Sequence, residues 1–328
     1  MKNYLLESSE LEKYFSENDY DILKPVNVVN NKDTVFITAG IQPILSSYLD
    51  SNFDSKRVYL AQPVLRTQYI DCISEGNSIA FVNLTTSGVN VSRQEHDSLV
   101  NDWLNLFRMI GTDKKDITSK TKEYQRDWGN IFVSGEKTFY YYKNVEIGDT
   151  TFFNEVRKNG EKVCVDSMSD LGFGLERIRW ILNNKSYFDL YSDSAEISPL
   201  IKGYLLALGL LLVNDVTPSN KNSGYRMRLL SKKLVDIICA NELNESEQNY
   251  LIECLKYWKE WQKVNHEVNL EIFRKEYVRN CNRYILNLLE KEGYKNLSSI
   301  NINVSKDILE KKLYAFNIPK EKIKKLIK

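Results

Sequence analysis

The sequence predicts an α+β chain: an antiparallel sheet flanked by helices, followed by an all-helical domain. Three observations predict it. Short β-rich runs separated by Gly, Pro and Asn turns recur through the first half, as in residues 57–66 and 79–84 on either side of a polar loop. Apolar residues recur at helical spacing almost without interruption from Ile197 onward. The two textures meet near residues 187–199, which divides the chain into 1–195 and 196–328. With 328 residues and 42% hydrophobic content, there is enough apolar surface for two cores.

Taken in order, residues 4–16 carry leucines and a tyrosine at helical spacing and predict an amphipathic helix. Residues 20–29 read as extended around Pro25, and residues 34–38 as a strand closed by Ala39-Gly40. Residues 41–49 form a short helix or a loop. Residues 57–66 predict a strand with Pro63 at a kink or an edge. With residues 79–84 as the return strand they make an antiparallel hairpin with a long tip. Ser92-Arg-Gln-Glu95 is a capping box. It opens a helix with Leu99, Val100, Trp103, Leu104 and Phe107 on one face, stopped by Gly111.

The charged residues 112–127 predict a turn-rich connector, and residues 131–133, 138–142, 150–153 and 162–165 predict strands. A glycine-containing connection at Gly172 and Gly174 then leads into a helix bearing Leu175, Ile178, Ile181 and Leu182. Helices are expected within 205–212, 226–241, 245–264, 269–292 and 306–316. Pro218-Ser219-Asn220 is expected to cap one of them, Asn317-Ile-Pro319 to break the last, and residues 320–328 to form a basic terminal turn.

Composition narrows the functional classes. The formal net charge is +1, so no global field marks a nucleic-acid partner, and any such contact must be a local patch. Cys72, Cys164, Cys239, Cys254 and Cys281 are scattered without a C-x-x-C pair, which points to reduced thiols and a cytoplasmic setting. His96 and His266, both placed on helices and far apart, give no zinc-ligand spacing, and no metal site built from protein side chains is expected. No signal peptide is read at the N-terminus, and the apolar run 204–213 is too short to span a bilayer, so no membrane partner is expected.

The chemistry-bearing stretch is Asp170-Leu-Gly-Phe-Gly-Leu-Glu-Arg177. Glycine lets backbone approach a bulky ligand closely. Arg177, one turn into the helix, is a permanent cation that could meet a phosphate. By itself, G-x-G reads first as a connection into a core helix, and the other segments of the chain reverse that order.

Other segments add to it in chain order. Residues 34–40 followed by Ile41-Gln42, then Gln62-Pro-Val-Leu-Arg66-Thr, precede that stretch. Asp215-Val-Thr-Pro-Ser-Asn220 with Gly224-Tyr225 and Arg228, and finally residues 313–319, follow it. Together they resemble the class II aminoacyl-tRNA synthetases and, more narrowly, alanyl-tRNA synthetase. The resemblance implies a ligase whose catalytic domain spans 1–195 and whose helical tRNA-recognition domain spans 196–328. It implies ATP and Mg2+, formation of an aminoacyl adenylate, and transfer of alanine or a related amino acid to tRNA.

By the same resemblance Arg66 would bridge the amino-acid carboxylate and the α-phosphate, and Arg177 would hold the far phosphates of a bent ATP. Gly172 and Gly174 would let the nucleotide lie against the strand. Asp170 would accept from the substrate ammonium group, or else serve as a turn or capping residue. Phe81 would stack on adenine, or be a core aromatic of its strand. Trp128 would line the amino-acid pocket, or simply pack. Asn220, Arg226, Arg228 and Lys232 would meet the acceptor stem, or form a solvated charged face.

Departures from the family carry their own implications. Phe81-Val82-Asn83 replaces a Phe-Glu-Met run, so an acidic residue is lost, and the loop before it is shorter. Glu146-Ile-Gly148-Asp149-Thr-Thr151-Phe152 has Gly and Asp where the family has Trp and Asn. This implies a pocket with more room, a negative charge at Asp149 and a hydroxyl at Thr151. Such a pocket suits an amino acid larger than alanine or bearing a polar group. The absence of an editing domain points to a specialised paralogue. Its acceptor would be tRNA, or a carrier protein or small molecule in a biosynthetic pathway; a non-catalytic tRNA-binding paralogue is the remaining reading.

Overall fold

The computed structural model describes residues 7–30, 34–49, 57–128, 131–162, 167–183, 186–191 and 196–327. The chain divides into two compact units, Met1–Asp189 with Tyr257–Val264, and Leu190–Lys256 with Asn265–Lys328. The first unit holds α1 (Ser8–Glu17), β1 (Asp21–Leu23), α2 (Ile41–Leu49), β2 (Arg57–Leu65), β3 (Ala80–Val89), α3 (Arg93–Met109), β4 (Ile117–Trp128), β5 (Ile131–Tyr142), β6 (Val145–Lys158), β7 (Glu161–Lys162), β8 (Met168–Gly174) and α4 (Leu175–Asn183). The second holds α5 (Pro199–Val213), α6 (Asn222–Ile237), α8 (Leu270–Lys291), α9 (Lys306–Tyr314) and α10 (Lys320–Leu326); α7 (Glu245–Gln262) is divided between the units.

Seven strands form one mixed sheet in the order β1-β2-β3-β8-β6-β5-β4, with β7 added beside β6. The β1–β2 pair is parallel and every other pair is antiparallel. The predicted hairpin is present: β2 and β3 pair from Arg57↔Gly88 to Leu65↔Ala80. Pro63 costs this ladder nothing. Its partner Val82 sends its N–H away from β2, to the Glu176 carboxylate at 3.0 Å, so Pro63↔Val82 is a non-hydrogen-bonded pair. The missing Pro63 donor therefore faces away from β3, beyond the end of β1.

Alternation along the strands gives the sheet two different faces. On one, Phe15 of α1 stacks on Tyr59 at 4.3 Å between ring centroids, and Trp103 of α3 lies 4.3 Å from the Phe173 ring. The Trp103 indole also donates to Thr86 Oγ1 at 2.8 Å, so its one polar atom is satisfied in the core. α3 is held at its start by the predicted capping box, Ser92 accepting from Glu95 N and Glu95 accepting from Ser92 N. On the other face, Ile41, Ile44 and Leu45 of α2 pack with Val58, Leu60, Val89, Phe153 and Met168. That packing covers one end of the face and leaves the other end open.

Several expectations are corrected. Residues 34–38 are not a strand: only the single bridge Val29↔Phe36 forms. Gln42 Oε1 takes the N–H groups of Thr38 and Ala39, at 2.6 and 3.2 Å, in place of a ladder. Within residues 20–29 the only strand is β1. Residues 112–127 are mostly not a connector but β4, the edge strand beside β5. Its charged side chains stand largely in solvent, so no apolar alternation announces it, and charge is what protects such an edge. The separate strands expected at 131–133 and 138–142 are one strand, β5, and residues 150–153 lie inside the longer β6. Of 162–165, only Lys162 falls within the described residues.

In the second unit α5 is buried from Lys202 to Val213. Asn280 on α8 donates to Ser231 on α6 at 3.1 Å. The cap of α6 is Lys221, without a side-chain bond, and not Pro218, Ser219 or Asn220. Those residues instead make a turn against Gly224, where a Cβ would meet Ser219 Oγ at 2.3 Å. His266 lies in the connection after α7, not in a helix, 3.4 Å from Asp215. The basic C-terminal turn is the short helix α10. No described helix is long and apolar enough to cross a membrane.

Candidate active site

The uncovered end of the sheet face is the floor of a cavity of about 430 Å³. Strand register builds it. β8 contributes Asp170, Gly172 and Gly174, β6 contributes Asp149, Thr151 and Phe153, β3 contributes Phe81 and Asn83, and β5 contributes Lys137. Arg66, at the end of β2, and Arg177, one turn into α4, stand at one side. Residues far apart in sequence are thus brought to one place.

Arg66 donates from Nε to the Thr38 carbonyl at 2.8 Å, and its guanidinium lies 4.7 Å from the Phe81 ring centroid. Burial pulls its pKa down; Asp149 opposes that shift and Arg177 adds to it. Phe81 is half-buried and faces the cavity, so the core-aromatic alternative does not describe it. Arg177 donates to the Glu146 carbonyl at 3.1 Å and lies 3.9 Å from the Glu146 carboxylate. Burial raises the Glu146 pKa, and Arg177 opposes the rise.

Asp170 sits in the middle of β8, opposite Ser87 on one side and Thr151 on the other, so it is neither a cap nor a turn residue. Among the described residues its carboxylate takes no hydrogen bond and no ion pair. Burial pushes its pKa up to about 7, with Asp149 adding to the rise and Lys137 opposing it. Asp149 is bound to Lys137 Nζ at 2.8 Å. Thr151 is buried at 1% exposure.

The glycines serve different ends. A Cβ at Gly174 would have nothing closer than Arg177 Cβ at 3.7 Å and Phe81 at 4.0 Å, so that position opens onto the cavity. A Cβ at Gly172 would lie 3.1 Å from the Asn83 amide. Gly148 lines the cavity through its backbone. Its Cβ would point to the opposite face, 2.3 Å from the Phe173 ring and 2.4 Å from the Gly172 carbonyl. That close approach of β6 to β8 requires glycine.

Three residues were missed by sequence reasoning. Lys137 lies in an aromatic-rich strand, and only the β5–β6 register brings it to Asp149. Asn83 accepts from Gly40 N at 2.8 Å and so ties the loop before α2 to the sheet. Glu176, inside the recognised stretch, accepts from Val82 N and from Tyr257 Oη at 2.7 Å. Burial raises its pKa to about 7.

Trp128 ends β4 opposite Ile131, and its side chain lies outside the described residues. The four residues assigned to an acceptor stem lie in the second unit. Arg228 is bonded to Asn220 and lies 3.5 Å from buried Glu276. The Arg226 guanidinium lies 5.7 Å from the Tyr225 ring centroid, and Lys232 is exposed.

No family model and no curated protein matches the chain. Among solved structures, it is similar to PylSc of Desulfitobacterium hafniense, a pyrrolysyl-tRNA synthetase, with a TM-score of 0.37 and 14% identity. That alignment covers 54% of this chain and 65% of the other, just under two thirds of that protein's length.

Proposed function

We propose that this protein activates an amino acid with ATP, forming an aminoacyl adenylate and releasing pyrophosphate, as a class II synthetase-like ligase. The observation that carries the reading is the shared cavity: two arginines from separate segments and the Asp170 carboxylate, which has no partner among the described residues. An attacking carboxylate and the α-phosphate are both anionic, and pyrophosphate leaves as an anion. Cations must therefore neutralise the reacting centre and the leaving group. In this reading Arg66 serves the first and Arg177 the second, while Asp170 takes the substrate ammonium.

The nucleotide end suits ATP: Gly174 leaves open space bounded by the Phe81 ring and Arg177. Mg2+ would add charge neutralisation on the phosphates when bound. Among the described residues no cluster of three His, Cys, Asp or Glu side chains could hold a metal. Magnesium commonly needs only one or two carboxylates beside phosphate oxygens, and the Glu146 carboxylate lies 3.9 Å from Arg177.

The acceptor in the first reading is tRNA. The internal bonds of Arg228 to Asn220 and Glu276 favour a second, in which the aminoacyl group passes to a carrier protein or small molecule. Amino-acid-dependent exchange of labelled pyrophosphate into ATP tests activation, and none with any amino acid rejects it. Transfer of the labelled amino acid to bulk tRNA then separates the acceptors: exchange without charging rejects the first.

A further inference from the structure

The amino-acid half of the cavity has a charge pattern of its own. Lys137 stands opposite Thr151, and Thr151 opposite Asp170, so three side chains form a row across β5, β6 and β8. Asp149 lies two residues along β6, opposite Gly172. Its carboxylate meets Lys137 Nζ at 2.8 Å, with side-chain exposures of 28% and 16%. The ammonium also lies 4.7 Å from the Tyr124 ring centroid, which fixes it from a second side. With Asp170 engaged by the substrate ammonium, the remaining floor presents the Lys137–Asp149 pair, which is neutral and offers one donor and one acceptor set; the exposed Arg126 also lines the cavity.

Ligand classes differ in how they meet such a pair. An aliphatic side chain would strip water from both charges and return no hydrogen bond. A carboxylate would face Asp149, and an ammonium would face Lys137. A carboxamide or hydroxyl adds no charge and can satisfy both. We propose that the site selects an amino acid with a neutral polar side chain, a carboxamide or a hydroxyl, which accepts from Lys137 and donates to Asp149. Lys137 and Asp149 are then the specificity-determining residues. This rests on the activation reading above.

The test is pyrophosphate exchange by the full chain with each of the twenty amino acids. Serine and threonine against asparagine and glutamine distinguish the two side-chain chemistries. One of these four should exceed alanine, valine, leucine, aspartate and lysine in kcat/KM by about tenfold or more. Exchange led by an aliphatic or charged amino acid overturns this inference and leaves activation standing. No exchange at all overturns both. Lys137→Met and Asp149→Asn should each raise the KM of the preferred amino acid about 10- to 100-fold, with the KM for ATP changed by less than about twofold. Lys137→Gln, which keeps a donor, should recover part of the loss. An amino-acid KM unchanged in Lys137→Met contradicts the assignment. Thermal unfolding of each variant reports whether the sheet is intact.

Discussion

Two glycines on adjoining strands should respond oppositely to the same methyl group. At Gly148 a Cβ meets the Phe173 ring and the Gly172 carbonyl well inside contact distance, so Gly148→Ala must displace β8. It should cost roughly 1–3 kcal/mol in urea unfolding; an unchanged midpoint would refute the close packing described. Gly174→Ala meets nothing closer than 3.7 Å, so stability should hold. The methyl would instead stand between Phe81 and Arg177, and the KM for ATP should rise. Asp170 and Glu176 make a prediction in pH. Both hold their protons up to about pH 7 when folded. In the unfolded chain they release them near pH 4, roughly. The folded state therefore binds more protons in that window, and their contribution falls as pH rises through it, then levels off. Asp170→Asn should flatten part of that decline in a series of urea midpoints. If Asp170 holds the substrate ammonium, the amino-acid KM should also fall as pH rises through 7, because the ionised carboxylate is the binding form.

At the scale of elements, legibility followed the kind of signal each one carries. The β2–β3 hairpin was readable because both strands are apolar and the tip between them is polar. α3 was readable because Ser92 and Glu95 mark its start and its apolar stripe faces the sheet. Ser92→Ala should cost about 1 kcal/mol, measured by denaturant unfolding. β4 was not readable, because an edge strand with solvated charges on both faces has no period for the eye to find. The strand expected at 34–38 failed for the opposite reason: its β-branched residues look right, but pairing stops at the Val29↔Phe36 bridge and Gln42 takes the N–H groups of Thr38 and Ala39 just beyond it. The site was partly legible. Arg66, Asp170 and Arg177 could be named from linear motifs, since each sits in a recognisable run. The Lys137–Asp149 pair could not, because a diagonal contact across two strands depends on register and on the irregularities in the β5–β6 ladder.

For the whole molecule, the boundary of the first unit does not follow the sequence alone. Tyr257 and Gln262, from the end of α7, belong to it: Tyr257 donates to buried Glu176, and Gln262 donates to the Val26 carbonyl at 3.1 Å. A fragment ending at residue 195 leaves the Glu176 carboxylate short of a donor and removes Trp261, which is 1% exposed. Such a fragment should lack the cooperative urea transition of the full chain, and one with the same midpoint would show that the end of α7 is dispensable. In the proposed function, the arginines and Asp170 gathered by this fold form an amino-acid activation site. That role is tested most directly by amino-acid-dependent pyrophosphate exchange in the full chain and its Arg177→Ala variant, with urea unfolding confirming that the variant is folded. Exchange is expected in the parent chain, with a loss of about 100-fold or more in the variant. A folded Arg177→Ala protein exchanging at the parent rate would contradict it.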